Sequence, residues 1–311
     1  MLTWELVGVV VGAGLASGRE IASFFASCGR WSWLGILTAI ISLIWLADTR
    51  LPRRWHGSWL GKTWQILLSA MLVATGGAML SGAGEVAALA LPVHHARIIG
   101  MIGTSAIAWL LARHTSAGLM WLSRGMLAVL AVMIGVGLFL PPARAANVSD
   151  GTGTAAMLRG MTYGGFNAAL QIPLLMQSRA GEKNRQRSIR QAGGIILLLL
   201  ALGNAVLQRH TALLGEQLPF LQMLSGFGKA GYWLCALSLY LAILSTLTAC
   251  IRALRGGWFP LCGIAAVSLM GFAGVVSRVY PILGGGCCVM MLAAKFTNCA
   301  AGPFHSGRDM L

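Results

Sequence analysis

Apolar runs separated by short polar connections divide this chain almost from end to end. Ten can be read, at roughly 4–28, 31–48, 63–91, 97–112, 119–140, 156–178, 192–208, 230–251, 258–276 and 279–295. A helix needs about 17 to 25 apolar residues to cross the hydrocarbon of a bilayer. Inside that layer every backbone N–H and C=O must be satisfied within the protein, which leaves bundled helices or closed barrels. Runs of this length predict helices. The expected fold class is therefore an all-α polytopic membrane protein of about ten transmembrane helices, a single membrane domain over 1–311 with the lipid bilayer as its first partner. Composition agrees: 57% of residues are apolar and 10% charged, whereas a soluble domain carries roughly a quarter charged residues.

The formal charge of +15 would suggest nucleic acid in a soluble protein, but its distribution gives a different reading. Alternate connections on one side hold Arg50, Arg53, Arg54, Lys62, Arg113, Arg124, Arg179, Lys183, Arg185, Arg187, Arg190, Arg252, Arg255, Lys295 and Arg308. The other side holds Arg30, Arg97, Arg144, Arg159, Arg209, Lys229 and Arg278, fewer than half as many. Basic residues collect on the cytoplasmic side, so both termini are expected there. The basic run "SRAGEKNRQRSIRQ" (178–191) reads as a topology signal, with no nucleic-acid partner. No positive stretch precedes the first apolar run, whose first basic residue is Arg19, so the opening helix is expected to be retained. Seven cysteines lie scattered through or beside apolar segments without a CxxC pair, and six histidines show no ligand spacing. No metal site and no bound cofactor are expected. Tryptophans near the run ends (Trp4, Trp31, Trp33, Trp55, Trp59, Trp258) read as interfacial belts.

Five runs fill about 4–140 and five about 156–295. An odd number of spans per half makes the second half enter the membrane from the opposite side, the arithmetic of an inverted repeat. The first run of each half carries glycines at a matching place: Gly12 in "VVVGAGLASG" and, 152 residues later, Gly164 in "MTYGGFNAALQIP". Unwound backbone survives in a membrane only where it is buried or lines a polar cavity, so discontinuous helices 1 and 6 would mark a midplane binding site. Its substrate-binding residues would be Gly12, Ala13, Gly14, Tyr163, Gly164, Gly165 and Asn167, with Gln171 and Pro173 nearby. Freed carbonyls can coordinate a cation, and a half-helix N-terminus can hold a carboxylate. The competing reading is that the glycines let helices approach closely. Tyr163 and Asn167, four apart, could equally satisfy freed backbone.

Glu20 and Glu85 are the acidic residues well inside apolar segments. An intramembrane carboxylate is a functional candidate as proton relay, cation ligand or amine partner, and both are candidate coupling residues. Glu20 has a plainer alternative, pairing with a basic group such as Arg19, and the plainer alternative for Glu85 is a wet helix end.

The stretch "GAGLASGREIASFF" (12–25) resembles the signature "GAGFASG-x-E-x-x-x-FF" of the YkvI-type bacterial membrane proteins. These are similar to the amino acid–polyamine–cation and neurotransmitter–sodium symporter superfamily of LeuT-fold transporters. "YGGFN" (163–167), "LYLAILSTLT" (239–248) and "YPILG" (280–284) are weaker matches, and together they span almost the whole chain. Leu15 stands where phenylalanine is usual, which removes the ring that an aromatic lid there would need. The resemblance implies a five-plus-five inverted repeat in a bacterial inner membrane. It also implies an ion site between the first break and the eighth helix, with carbonyls of Val11, Gly12 and Gly14 facing the hydroxyls of Ser245 and Thr246. Serine and threonine in membrane helices also bond their own i−4 carbonyls.

The expected function is a cation-coupled secondary transporter of a small polar solute, an amino acid or amine, driven by Na+ or H+. The mechanism follows from the paired breaks and the substrate class from the resemblance alone. The alternative is a non-transporting receptor or sensor on a transporter scaffold. An enzyme is not expected: no nucleophile–base pair, HExxH or phosphate loop is present. Two broken helices also favour an occluded site over a channel. The sequence leaves the oligomeric state open.

Overall fold

The computed structural model describes residues 2–49, 55, 57–91, 93–114, 117–143, 151–178, 181–226, 228–254 and 258–300. Arg50, Arg53, Arg54, Arg144, Arg179, Arg255 and Arg308 of the charge count lie outside them. Among the described residues the chain is helical, with no strand. The first run forms three short helices, α1 (Leu2–Val10), α2 (Ala13–Ala16) and α3 (Arg19–Phe24). A 3₁₀ segment (Ala26–Trp31) then leads into α4 (Ser32–Ala47). α5 (Trp59–Ala90), α6 (Ala96–His114) and α7 (Ala117–Phe139) complete the first half. The second half comprises α8 (Gly153–Gln177), α9 (Glu182–Arg209), the short α10 (Pro219–Met223), α11 (Lys229–Ala253), α12 (Trp258–Ser268), α13 (Phe272–Gly274) and α14 (Tyr280–Ala300). A π-helical turn (Val275–Val279) joins α13 to α14.

Among the described residues, six helical stretches are long and apolar enough to cross a membrane: Ala26–Ala47, Trp59–Ala90, Ala96–Arg113, Glu182–Arg209, Cys235–Ala253 and Phe272–Thr297. The chain is thus an all-α protein with the helices of a membrane-embedded one. α5, with 32 residues, is about 48 Å long at 1.5 Å per residue and exceeds the ~30 Å hydrocarbon layer. The ninth run, 258–276, is not one helix. α12 stops at Ser268, and Gly271, with φ +78°, turns the chain before Phe272. That backbone is open to glycine and strained for other residues. The tenth helical stretch therefore begins eight residues before the "YPILG" motif.

α8 lies at the centre, packed on α4 along one side and α14 along the other, and small residues set these approaches. A Cβ on Gly160 would strike the carbonyl oxygen of Gly35, and one on Gly165 would come within 2.9 Å of the Gly284 carbonyl. α5 meets α12 through Gly76 and Gly77, beside Ile264 and Val267, and meets α6 through Gly84 and Gly100. Without a hydrophobic drive between helices in lipid, such close contact supplies the association energy.

The second interruption expected from sequence is absent. α8 runs unbroken through Gly164 and Gly165, from a Thr152 cap accepting the Ala155 N–H at 3.3 Å to Gln177. The glycines are there because α4 and α14 leave no room for a side chain, and Pro173 removes a donor without ending the helix. Of the two interruptions expected from sequence, the structure has the first and lacks the second. One belt residue also differs: Trp4, Trp31, Trp33 and Trp59 are exposed, but Trp55 is buried. The side chain of Trp258 lies outside the described set.

Candidate functional site

The first interruption begins where the helical ladder fails. Val11 N–H still reaches Val7 O at 2.8 Å, but Gly12 N–H turns to Val10 O at 2.8 Å, so Gly8 O loses its helical donor. Helical bonding resumes with Ala16 N–H on Gly12 O at 3.0 Å. It stops again at Ser17–Gly18, where Gly18 takes φ +81°. Both breaks are enclosed by protein: α2 contacts α5, α7 and α11, and α3 contacts α8 and α9. Irregular backbone at membrane depth requires this enclosure.

The Glu20 side chain folds back from α3 into the bend. It is 6% exposed and occupies the space where a Cβ on Gly14 would stand. Tyr163 on α8 donates its hydroxyl to Glu20 Oε2 at 3.3 Å. The Tyr163 ring meets Phe24 and Phe25 edge-on, with centroids 5.2 and 5.1 Å away. Four sequence-derived candidates thus converge: Gly12 and Gly14 at the bend, Glu20 beside Gly14, and Tyr163 on Glu20. Ala13 opens α2 between them.

The side chains of Asn167 and Gln171 both donate to backbone carbonyls. Asn167 Nδ2 donates to Tyr163 O at 3.0 Å, one turn back on its own helix. Gln171 Nε2 donates to Leu6 O at 3.2 Å, tying α8 to α1 below the bend. Gly164 and Gly165 serve helix contact, as described above, and take no part in a bend.

For the ion site, Gly12 does face α11: a Cβ there would lie 3.7 Å from Thr246 Oγ1. Val11 is buried beside it. The other two positions are engaged elsewhere. Gly14 O accepts the Ser17 hydroxyl at 2.9 Å, and Ser245 donates to Ala242 O at 2.9 Å on its own helix. Glu85 stands apart, in an ion pair with Arg97 at 2.7 Å whose arginine is 58% exposed. Arg19 is not the partner of Glu20, since its Nη1 donates to Leu214 O at 2.7 Å and Glu216 O at 2.9 Å.

Sequence reasoning missed two features. Phe220 on α10 donates its N–H to Ser17 O at 3.0 Å and sets its ring about 3.0 Å from where a Gly18 Cβ would be. The loop between α9 and α11 is therefore fastened to the bend. Tyr280 and Thr75 place hydroxyls in the interior without a hydrogen-bond partner, while the Tyr280 ring stacks on Phe166 at 4.4 Å. "YPILG" marked Tyr280 only as part of a motif.

Comparison with models of known protein families and with curated proteins gives no match for this chain.

Proposed function

We propose that this chain is a cation-coupled secondary transporter of a small polar solute, an amino acid or amine, working by alternating access around the bend between α1 and α3. It sits in a bacterial inner membrane with both termini cytoplasmic. Its ten sequence runs form two sets of five, with the opening run of the first set discontinuous and that of the second continuous. The observation that carries the reading is the enclosed interruption at Val11–Gly12, set against Thr246 and followed by the buried Glu20. An unwound turn buried among helices is costly unless its free carbonyls and helix ends bind something. The resemblance of "GAGLASGREIASFF" to the YkvI-type signature supports the substrate class.

The test is a melting-temperature screen of the purified protein with amino acids and small amines, in sodium and in choline, at two pH values. A ligand that binds only the native state adds RT ln(1 + [L]/Kd), about 2.7 kcal/mol at a hundredfold Kd. A hit is carried into proteoliposomes, where solute uptake against its gradient supports transport and saturable binding without flux refutes it. Gly12→Leu is expected to remain folded and lose the solute-dependent shift. An unchanged shift would remove the bend from the binding site.

A further inference from the structure

Resting on the transport reading, we propose that the coupling ion is a proton and that the Glu20 carboxyl carries it. Three observations lead there. First, among the described residues no cation pairs with Glu20. The arginine adjacent in sequence and the one a turn before Tyr163 on α8 are engaged elsewhere: Arg19 with Leu214 O and Glu216 O, and Arg159 with Ser27 Oγ at 2.7 Å, Ser23 O and Cys28 Sγ. A carboxylate buried without a cation is costly, and taking up a proton removes the charge.

Second, the surroundings suit a proton and exclude a larger cation. A hard metal ion gathers a shell of oxygen ligands. Here the carboxyl already fills the hollow over Gly14, the Gly14 carbonyl is taken by Ser17, and among the described residues Tyr163 Oη is the one side-chain polar atom bonded to it. A proton needs no further space. Third, that single partner can serve both charge states, because a phenol donates and accepts. With Glu20 ionised, Tyr163 O–H donates to Oε2; with Glu20 protonated, its O–H donates to Tyr163 Oη. The carboxyl O–H bond breaks to release the proton, the electron pair stays on oxygen, and no other group changes charge.

Other titratable groups around α3 leave this assignment standing. α8 presents Tyr163 and, one turn earlier, Arg159. The 3₁₀ segment presents Cys28, and the π-helical turn carries Arg278, whose side chain is exposed. α2 presents none, and α9 meets α3 at Gly203, against Ile21. α14 carries Tyr280, whose ring stacks on Phe166 of α8. Its hydroxyl and that of Thr75 on α5 are buried and make no close hydrogen bond among the described residues.

The experiment is infrared difference spectroscopy of the solute-free protein in detergent, titrated from mildly acidic to mildly alkaline pH, reading the carboxylic-acid C=O stretch. The expected result is one band that disappears as pH rises and is missing in Glu20→Gln. Tyr163→Phe, which removes the donor to the carboxylate, should move the midpoint up by about one pH unit, tenfold in proton affinity. Tyr280→Phe, which makes no hydrogen bond to Glu20, should move it less. Three results would overturn the proposal: a Glu20 ionised throughout, a Glu20 protonated throughout, or a titrating band that survives Glu20→Gln. Melting curves of Glu20→Gln show whether the fold persists, and Tyr163→Phe supplies an independent readout if it does not. Because no solute is present, the outcome is separable from transport. A titrating Glu20 with no transported solute sinks the transport reading alone, and sodium-driven flux with a silent Glu20 sinks the proton.

Discussion

Replacing Gly164 by alanine separates the two roles that a glycine in α8 can have. In a helical turn with open space beside it the change is stabilising, because alanine is favoured over glycine in a helix by about 1 kcal/mol. In the structure the new methyl meets α4 instead. It would lie 2.5 Å from Ala39 O and 3.0 Å from Leu43 N, besides striking the Ser42 hydroxyl. Ser42 can rotate away, but the Ala39 and Leu43 atoms are backbone, so α4 and α8 must separate. Overpacking costs about 1–3 kcal/mol, and rigid obstacles place this site at the upper end. Set against the propensity gain, the net loss is about 2 kcal/mol, or about 4–8 °C in apparent melting temperature at ~2–4 °C per kcal/mol. The control is Gly194→Ala in α9, where a Cβ meets nothing within 4 Å; it should be neutral or slightly stabilising. The assay is detergent melting of both variants at one scan rate. A Gly164→Ala protein as stable as the control would refute close α4–α8 contact at this position.

Further outcomes follow from the same geometry. Gly18→Ala, at φ +81° and against the Phe220 ring, should destabilise by about 1–2 kcal/mol from the left-handed backbone alone, read by the same melting assay. Arg19→Lys cannot hold two carbonyls with a planar fork, and hydrogen exchange over 211–217 should rise while exchange in α5 does not. A double-mutant cycle on Arg185 and Asp48, 2.6 Å apart with the arginine 15% exposed, should give coupling of about 1 kcal/mol. The same cycle on Arg97 and Glu85 should give less than about 0.5 kcal/mol, because an exposed pair is screened.

The long apolar runs made the helical, membrane-embedded fold legible, because length and hydropathy are properties of a segment by itself. The first bend was legible as well, in "GAGLASG". The second was misread from the same residue type. Gly164 and Gly12 look alike in sequence, yet one is packed against α4 backbone and the other faces Thr246 across an open bend. What distinguishes them is the position of a neighbouring helix, which no local pattern records. Glu20 was recognisable as unusual, but its partner Tyr163 stands 143 residues away and Arg19 was the nearer suggestion. Arg19 instead satisfies loop carbonyls some 195 residues on. The break at Gly271 passed unnoticed because the run around it is apolar throughout, and hydropathy does not sense backbone handedness.

The attachments of α3 have a consequence for how the protein is made. The long-range hydrogen bonds of the bend and α3, Tyr163 to Glu20, Arg159 to Ser23 and the 214–220 segment to Ser17 and Arg19, all reach partners in the second half of the chain. Synthesis proceeds from the N-terminus, so the first run reaches the bilayer while none of these partners exists. The bend, with its acid and its arginine, must wait beside the insertion machinery or as an uninterrupted helix until α8 and α9 arrive. The last helices of the first half are made before the first one can finish folding. A ribosome stalled after α7 would leave Glu20 and Arg19 without the groups that make their burial tolerable, and such a chain is a natural substrate for membrane quality control.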